Sequence, residues 1–93
     1  MPLNLQESWG ITRLHLEKAR GLLPPSLKEN PEGGSLAGFE GFLAHNELGL
    51  AFDELEMIGM ESPCPPEFWQ EMVMAAENMQ LLEQAARCRA RLR

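Results

Sequence analysis

The chain has 93 residues, 44% of them hydrophobic, and a formal net charge of −6 at pH 7. A chain of this length forms one domain with a modest core. The negative charge argues against nucleic acid as a partner, because carboxylates and phosphates repel each other. No apolar run approaches the roughly 20 residues of a transmembrane helix. The first nine residues lack the basic and apolar segments of a signal peptide, which favours a cytoplasmic location.

The charges are unevenly distributed along the chain. Residues 29–86 contain twelve Asp or Glu and no Lys or Arg, whereas residues 1–28 and 87–93 each contain four basic residues. The acidic segment also holds most of the large apolar residues, so we expect it to fold rather than to form a solvated tail. A folded unit with a surface of one sign attracts cationic partners.

The residue types predict an all-α fold, namely a small single-domain bundle of four helices. Leu, Glu and Ala are the commonest residues, Met and Gln add to them, and β-branched residues are few; the common types lose little side-chain entropy in a helix. The first helix is predicted to start with Ser8 as its N-cap and to end before Pro24. Residues 24–34 are predicted to form a loop. The apolar stripe of the first helix comprises Trp9, Thr12, Leu16, Ala19 and Leu23.

A second and a third helix are predicted on the two sides of Asn46. The second starts near Ser35, and its glycines, Gly38 and Gly41, indicate close contact with a neighbour. Asn46 either closes the second helix in the left-handed conformation or serves as the N-cap of the third. The third helix then spans 47–60. Its apolar stripe comprises Leu48, Ala51, Phe52, Leu55 and Ile58.

The fourth helix is predicted to begin at Pro66, after a loop at 61–66, because proline fits the first turn of a helix. It either continues to the C-terminus or breaks near Gln80. From Arg87 onwards arginine alternates with other residues, which we interpret as a frayed helical end whose arginines complement the helix dipole. No internal repeat is evident. The core side of the fourth helix comprises Phe68, Met72, Ala75, Ala76 and Met79.

The apolar stripes of the four helices predict one shared core. Burial of large apolar side chains is the main stabilising contribution in a domain of this size. The side chains that we expect to be buried together are Trp9, Leu16, Phe39, Leu43, Phe52, Leu55, Phe68 and Met72.

The sequence contains no recognisable catalytic, cofactor or metal motif. His15 lies at the edge of an apolar stripe, and His45 lies at a helix end where it can bond a free carbonyl. Cys64 and Cys88 do not form a Cys-x-x-Cys pair. We expect free thiols, with one disulfide as the alternative. The prediction is a protein without enzymatic activity, cofactor or metal.

The predicted partner-binding surface is the outward face of the third and fourth helices. Apolar residues lie there among carboxylates, an arrangement typical of an interface with apolar anchors and a polar rim. Its members are Leu50, Asp53, Glu54 and Met57 on the third helix and Gln70, Met74 and Glu77 on the fourth, with Leu81 also expected to point outward. The alternative is chance exposure or burial by the C-terminal segment.

The run FLAHNELGLAFDEL at 42–55 resembles a stretch of small bacterial immunity proteins of the MafI kind and their uncharacterised relatives. That stretch reads aromatic or Leu, x, His, x, Glu, x, Gly, Leu, Ala. These proteins often continue with a proline-containing loop, an aromatic helix start and an Ala-Ala-Glu-x-Met-x-Leu ending, similar to PPEFW at 65–69 and AAENMQL at 75–81. The resemblance covers about residues 36–82. It implies a fold and a general class, and it implies no contact residues.

We therefore expect a non-enzymatic protein-binding module, most specifically an immunity-type protein that neutralises a basic toxin through an acidic helical surface. The alternative is a homo-oligomeric structural or regulatory helical protein. In a homodimer, Leu50, Met57, Met74 and Leu81 would be buried against a second copy, and the basic ends would meet the acidic middle. A toxin gene beside the gene for this chain would favour the first hypothesis.

Overall fold

The computed structural model describes residues 5–24, 35–61 and 63–92, and within them the fold is all-α, as predicted. The helices are α1 (Leu5–Gly21), α2 (Leu36–Ala44), α3 (Leu48–Met60), α4 (Pro66–Asn78) and α5 (Leu82–Ala90). Four helices were expected and the described residues form five, because the predicted fourth helix breaks at Gln80. The loop predicted at 61–66 falls between α3 and α4, except that Pro66 already belongs to α4 and that Ser62 lies outside the described residues. Among the described residues, no helix combines the length and apolar character that crossing a bilayer requires.

The starts of α2 and α4 agree with the sequence. Ser35 is the N-cap of α2, and its Oγ accepts a hydrogen bond from Gly38 N at 3.0 Å. Pro66 lies in the first turn of α4, where a missing backbone N–H costs nothing. Apart from Pro24, the loop predicted at 24–34 lies outside the described residues.

Helix α1 begins earlier than predicted. It starts at Leu5, so Ser8 lies inside the helix and is not its N-cap. Trp9, predicted to lie in the core, is 41% exposed. On the side of α1 that faces α4, Asn78 donates to Ser8 O at 2.8 Å and to Thr12 Oγ1 at 2.7 Å. An amide at the end of α4, rather than the indole, therefore covers this turn of α1.

One hydrophobic core joins all five helices. The buried members of the predicted core are Leu16, Phe39, Leu43, Phe52, Leu55, Phe68 and Met72, so the register of the apolar stripes is confirmed at these positions. Helix α1 packs mainly against α4 and also against α3. Gly59 allows α3 to approach α4, because a Cβ at this position would collide with the Phe68 ring.

Helices α2–α3 and α4–α5 form two hairpins with the same turn. Each turn places one residue in the left-handed conformation, Asn46 with a φ of 57° and Gln80 with a φ of 60°. In both, the following amide donates to a carbonyl five residues earlier, which is the Schellman arrangement. These bonds are Glu47 N to Phe42 O at 2.8 Å and Leu81 N to Ala76 O at 2.9 Å. The backbone thus repeats although the sequence shows no repeat.

Within the described residues, the arginine-rich end forms α5 up to Ala90 and a turn after it, whereas a frayed helical end was predicted. Three guanidinium groups fasten α5 and the turn after it to the other helices: Arg87 to Glu56, Arg89 to Glu77, and Arg91 to the ring of Trp69. Arg87 binds Glu56 with two nitrogens, at 3.1 and 2.9 Å, and Glu56 is only 6% exposed. The turn at Gln80 brings α5 back along α4 and places Arg87 within reach of Glu56 on α3, so the arginines of α5 neutralise part of the acidic segment from within the chain.

Candidate protein-binding surface

The outward face of α3 carries three of the candidate residues. Leu50 is 50% exposed, Met57 is 38% exposed, and Asp53 between them is exposed as well. They follow helical spacing on the side opposite the buried stripe. These side chains are therefore accessible at the surface, and we refer to them as the α3 patch.

Glu54, predicted to lie beside them in solvent, points towards α2 instead. Its Oε1 accepts a hydrogen bond from Ser35 N at 2.8 Å. A Cβ on Gly38 would lie 2.8 Å from the same oxygen, so the glycine makes room for the carboxylate. Of the two glycines predicted to allow close contact, Gly38 does so, whereas Gly41 faces open space. Glu54 thus belongs to the contact between α2 and α3.

The α4 candidates Gln70, Met74 and Glu77 are exposed, but the structure does not bring them beside the α3 patch. The residues that line the surface beside Leu50 and Asp53 come from α3 and from the start of α5, and none comes from α4. Glu77 is also paired with Arg89 on α5. Among the candidate carboxylates, all of which the structure describes, Asp53 is the one that forms neither a salt bridge nor a hydrogen bond.

Two residues of the α3 patch, Leu50 and Asp53, line one wall of a groove between α3 and α5, whereas Met57 does not. This α3–α5 groove has a volume of about 340 Å³, and its lining includes Glu47, Leu50, Asp53, Leu81 and Gln84. Leu81, predicted to point outward, is partly buried against the core, because the turn before α5 folds it inward. Gln84 was not among the predicted residues, since its position beside α3 depends on the break between α4 and α5.

Asp53 lies in an unfavourable electrostatic environment. Partial burial raises the pKa of its carboxyl group, and the neighbouring Glu56 carboxylate raises it further. Arg87 lowers the pKa but is the weakest of these three influences, and its guanidinium is bound by Glu56. A further cation near Asp53 would therefore favour its ionised form.

A second cavity, of about 560 Å³, lies where the two hairpin turns meet α1. Its wall includes the exposed Trp9, the left-handed residues Asn46 and Gln80, and Gly49. A Cβ on Gly49 would meet nothing within 4 Å, so this glycine widens the cavity and does not serve helix packing. The amide of Asn78 on the same wall is bonded to α1.

Both histidines make contacts within the fold. His15 Nδ1 lies 2.6 Å from Glu71 Oε2 at the contact between α1 and α4, with side chains 19% and 20% exposed. His45 Nδ1 donates to Gly41 O at 2.9 Å, so it satisfies a carbonyl at the end of α2, as predicted. Within the described residues, no group of three or more His, Cys, Asp or Glu side chains is arranged to hold a metal ion.

Both cysteines are free, as the sequence predicts. Cys88 is fully buried, and burial together with the Glu56 carboxylate raises the pKa of its thiol to about 12. Burial also raises the pKa of the Cys64 thiol, whose Sγ lies 3.8 Å from Gly59 O. Neither thiol is activated as a nucleophile by these surroundings.

The fold and the groove define a small helical protein in which two similar hairpins share one core with α1. No family model matches the sequence, and no curated protein or solved structure matches it either. The resemblance of residues 36–82 to MafI-type immunity proteins therefore remains a hypothesis. The function has to be argued from the surface itself.

Proposed function

We propose that this chain is a non-enzymatic protein-binding module of the immunity type, which neutralises a basic bacterial toxin by binding it. The distribution of charge carries the proposal, since residues 29–86, which include α2, α3 and α4, contain no Lys or Arg. A toxin that acts on nucleic acid needs a basic cleft for phosphates. Carboxylates on rigid helices can occupy such a cleft, and opposite charge speeds the encounter.

The pairing of charges within the fold favours α3 over α4 as the binding surface. Salt bridges occupy Glu40, Glu56 and Glu77, and His15 contacts Glu71. The exposed carboxylates for which the described residues provide no such pair are Glu17, Glu47, Asp53, Glu61, Glu67 and Glu83. Helix α3 and its two ends therefore carry three of the six exposed carboxylates that lack such a pair within the described residues.

Co-expression tests the proposal. The gene beside the one that encodes this chain is expressed in a bacterial host, alone and together with this chain. We expect the neighbour to arrest growth and this chain to restore it. The purified pair should associate more slowly at 0.1 M than at 0.01 M salt, because the Debye length falls from about 30 Å to about 10 Å. A harmless neighbour or an acidic partner would contradict the proposal.

A matched pair of charge reversals separates the α3 patch from net charge alone. Asp53→Lys and Glu17→Lys each change the net charge from −6 to −4, but only Asp53 lies in the patch. We expect Asp53→Lys to weaken the complex and the growth rescue, and Glu17→Lys to retain most of both. Glu54 is not suitable for reversal, because it bonds to Ser35 N at the start of α2.

The homo-oligomeric alternative is supported by exposed apolar residues. Leu82 is 73% exposed, Met60 is 54% exposed and Leu50 is 50% exposed, and exposed apolar surface of this kind marks interfaces when it is contiguous. Sedimentation velocity distinguishes the two functions. A dimer that Leu50→Ser dissociates favours the oligomer, whereas a monomer that binds the neighbour's product favours immunity.

A further inference from the structure

We propose that the α3–α5 groove receives an arginine or lysine side chain of the partner protein, with its aliphatic stem on Leu50 and Leu81 and its cationic head between Glu47 and Asp53. The inference rests on the proposed function, which supplies a basic partner. It goes further because it assigns the contact to one groove and to one kind of side chain.

The lining of the groove fits a side chain with an apolar stem and a charged end. Leu50 and Leu81 supply the apolar surface, and Glu47 and Asp53 supply the carboxylates. Glu47 is the N-cap residue of α3, yet its side chain makes no capping bond, so its carboxylate is not engaged by the helix. Long basic side chains lay their methylene groups on apolar surface while the charge stays hydrated, and a carboxylate strengthens the contact with a guanidinium.

The chain's own Arg87 shows how this pair of helices binds a guanidinium. It reaches from α5 to Glu56 on α3, with Nε and Nη2 at 3.1 and 2.9 Å from the two carboxylate oxygens. Gln84 lies three residues before Arg87 on α5, and Asp53 lies three residues before Glu56 on α3. Both line the groove. The next helical turn therefore repeats the carboxylate but lacks the cation.

A second copy of this chain is a less suitable occupant than a different protein, because Lys18 on α1 is the one Lys or Arg side chain among its described residues that makes no salt bridge, side-chain hydrogen bond or ring contact. The described arginines near its C-terminus are already bound: Arg87 and Arg89 by carboxylates, and Arg91 by the Trp69 ring. Arg13 donates to Leu43 O at 2.6 Å, and Arg20 pairs with Glu40. A guanidinium from another copy would have to break one of these contacts before it entered the groove.

A titration with acetylated and amidated hexa-arginine tests the groove, with hexa-glutamate as the control peptide. In the ¹⁵N-labelled chain, amide shifts should change most at Glu47, Leu50, Asp53 and Gln84. Asp53→Asn should weaken hexa-arginine binding about tenfold, the loss that one charge-assisted hydrogen bond accounts for. Shift changes centred on Gln70, or spread evenly over the exposed carboxylates, would overturn the assignment to this groove.

A second variant supplies the cation from within the chain. Gln84→Arg places a guanidinium one turn before Arg87, where it should bind Asp53 and occupy the groove. Ala86→Arg adds the same charge on the exposed side of α5 and is the matched control. We expect Gln84→Arg to weaken hexa-arginine binding about tenfold more than Ala86→Arg does, and to lower the pKa of Asp53. Equal weakening by the two variants would overturn the proposal, because net charge alone would then explain it.

The failure of this inference can be distinguished from failure of the proposed function. If Gln84→Arg and wild type neutralise the neighbour's product equally well, the groove is wrong and the immunity function stands. If hexa-arginine binds in the groove but the neighbour is harmless, the immunity function is wrong and the groove stands. Circular dichroism of each variant confirms that it remains folded.

Discussion

Helices α3 and α5 each follow a hairpin turn of the same geometry, but they are attached to the core by different interactions. In the first hairpin α3 buries seven residues, whereas in the second hairpin α5 buries two. Arginines supply what α5 lacks in apolar contact, through Arg87, Arg89 and Arg91. The geometry of the turn therefore does not determine how the helix after it is stabilised. The residues on the inner face of that helix determine whether apolar burial or ion pairs hold it.

This difference has a consequence for local stability. Apolar burial does not depend on screening by salt, whereas exposed ion pairs weaken as salt increases. Helix α5 combines little apolar burial with ion pairs, so it belongs to the part of the fold that opens at low free energy. The groove between α3 and α5 thus has one wall with extensive apolar burial and one wall in which ion pairs supplement a smaller apolar contact.

The largest expected effect is in the first hairpin. Phe52 is fully buried in α3, so Phe52→Ala should destabilise the protein by about 3–5 kcal/mol, from lost burial and the cavity left behind. That is close to the whole stability of a small domain, which begins at about 5 kcal/mol. Urea denaturation measures the loss. Leu50→Ala on the exposed side of α3 is the control and should stay within about 0.5 kcal/mol. Similar midpoints for the two variants would contradict the observed register of α3.

In α5 the larger response is expected from loss of Arg87. Arg87→Ala leaves the buried Glu56 carboxylate without its guanidinium, and we expect a loss of about 1.5–3 kcal/mol, the contribution of hydrogen bonds to a charged group. Arg89→Ala removes a pair whose side chains are 56% and 51% exposed, which should cost less than about 1 kcal/mol. Hydrogen exchange should show the opening confined to α5 in both variants. Equal losses of stability in Arg87→Ala and Arg89→Ala would mean that the burial of Glu56 does not strengthen the contribution of its ion pair.

The sequence predicts the core better than the groove, and the reason is the range of the interactions involved. The stripes of α2, α3 and α4 are periodic, so Phe39, Phe52 and Phe68 could be placed from local spacing alone. Trp9 could not, and Asn78, distant in sequence, covers the neighbouring turn. Periodicity reports which face of a helix is apolar, and it does not report which polar group from elsewhere meets that face.

The break between α4 and α5 explains most of the remaining differences. Asn tolerates the left-handed conformation, so Asn46 could be read as a helix end. Glutamine has no such preference. The sequence at Gln80 therefore left open whether the fourth helix continues or breaks. The positions of Gln84 and Arg87 beside α3 both follow from this break. The position of Glu54 was predicted wrongly for a different reason. Its partner is the backbone amide of Ser35, and helical periodicity does not indicate which backbone amides a side chain will meet.

Substitutions in the two hairpin turns should change stability by an intermediate amount, and the two turns can be compared directly. Gln80→Gly should stabilise the protein by about 0.5–1 kcal/mol. Glycine adopts the left-handed conformation without strain, and the greater conformational entropy of glycine in the unfolded chain offsets part of this gain. Asn46→Gly should stabilise it less, because asparagine already tolerates a positive φ. Thermal denaturation of the two variants measures the difference. A larger gain at Asn46 would mean that the turns differ in strain despite their equal backbone geometry.

The smallest expected effect concerns the groove that the two hairpins form. Burial and Glu56 on α3 raise the pKa of Asp53 above its ordinary value, and Arg87 on α5 offsets this only in part. The folded protein therefore holds the proton of Asp53 more tightly than the unfolded chain does. Stability contributed by this group is present at acidic pH and is lost as the pH rises from the ordinary Asp pKa through the raised one.

Asp53→Asn should consequently melt at a slightly higher temperature than wild type at pH 7, and at nearly the same temperature at pH 3, where both side chains are neutral. Glu67→Gln at the start of α4 is the control and should show no such gain, because a carboxylate in a first helical turn is stabilising. The same Asp53→Asn variant should bind hexa-arginine less tightly, because the carboxylate that destabilises the fold is the one that attracts the cation. A variant that melts higher and binds equally well would show that the strain at Asp53 serves no binding function, and the α3–α5 groove would then lose its principal charged contact.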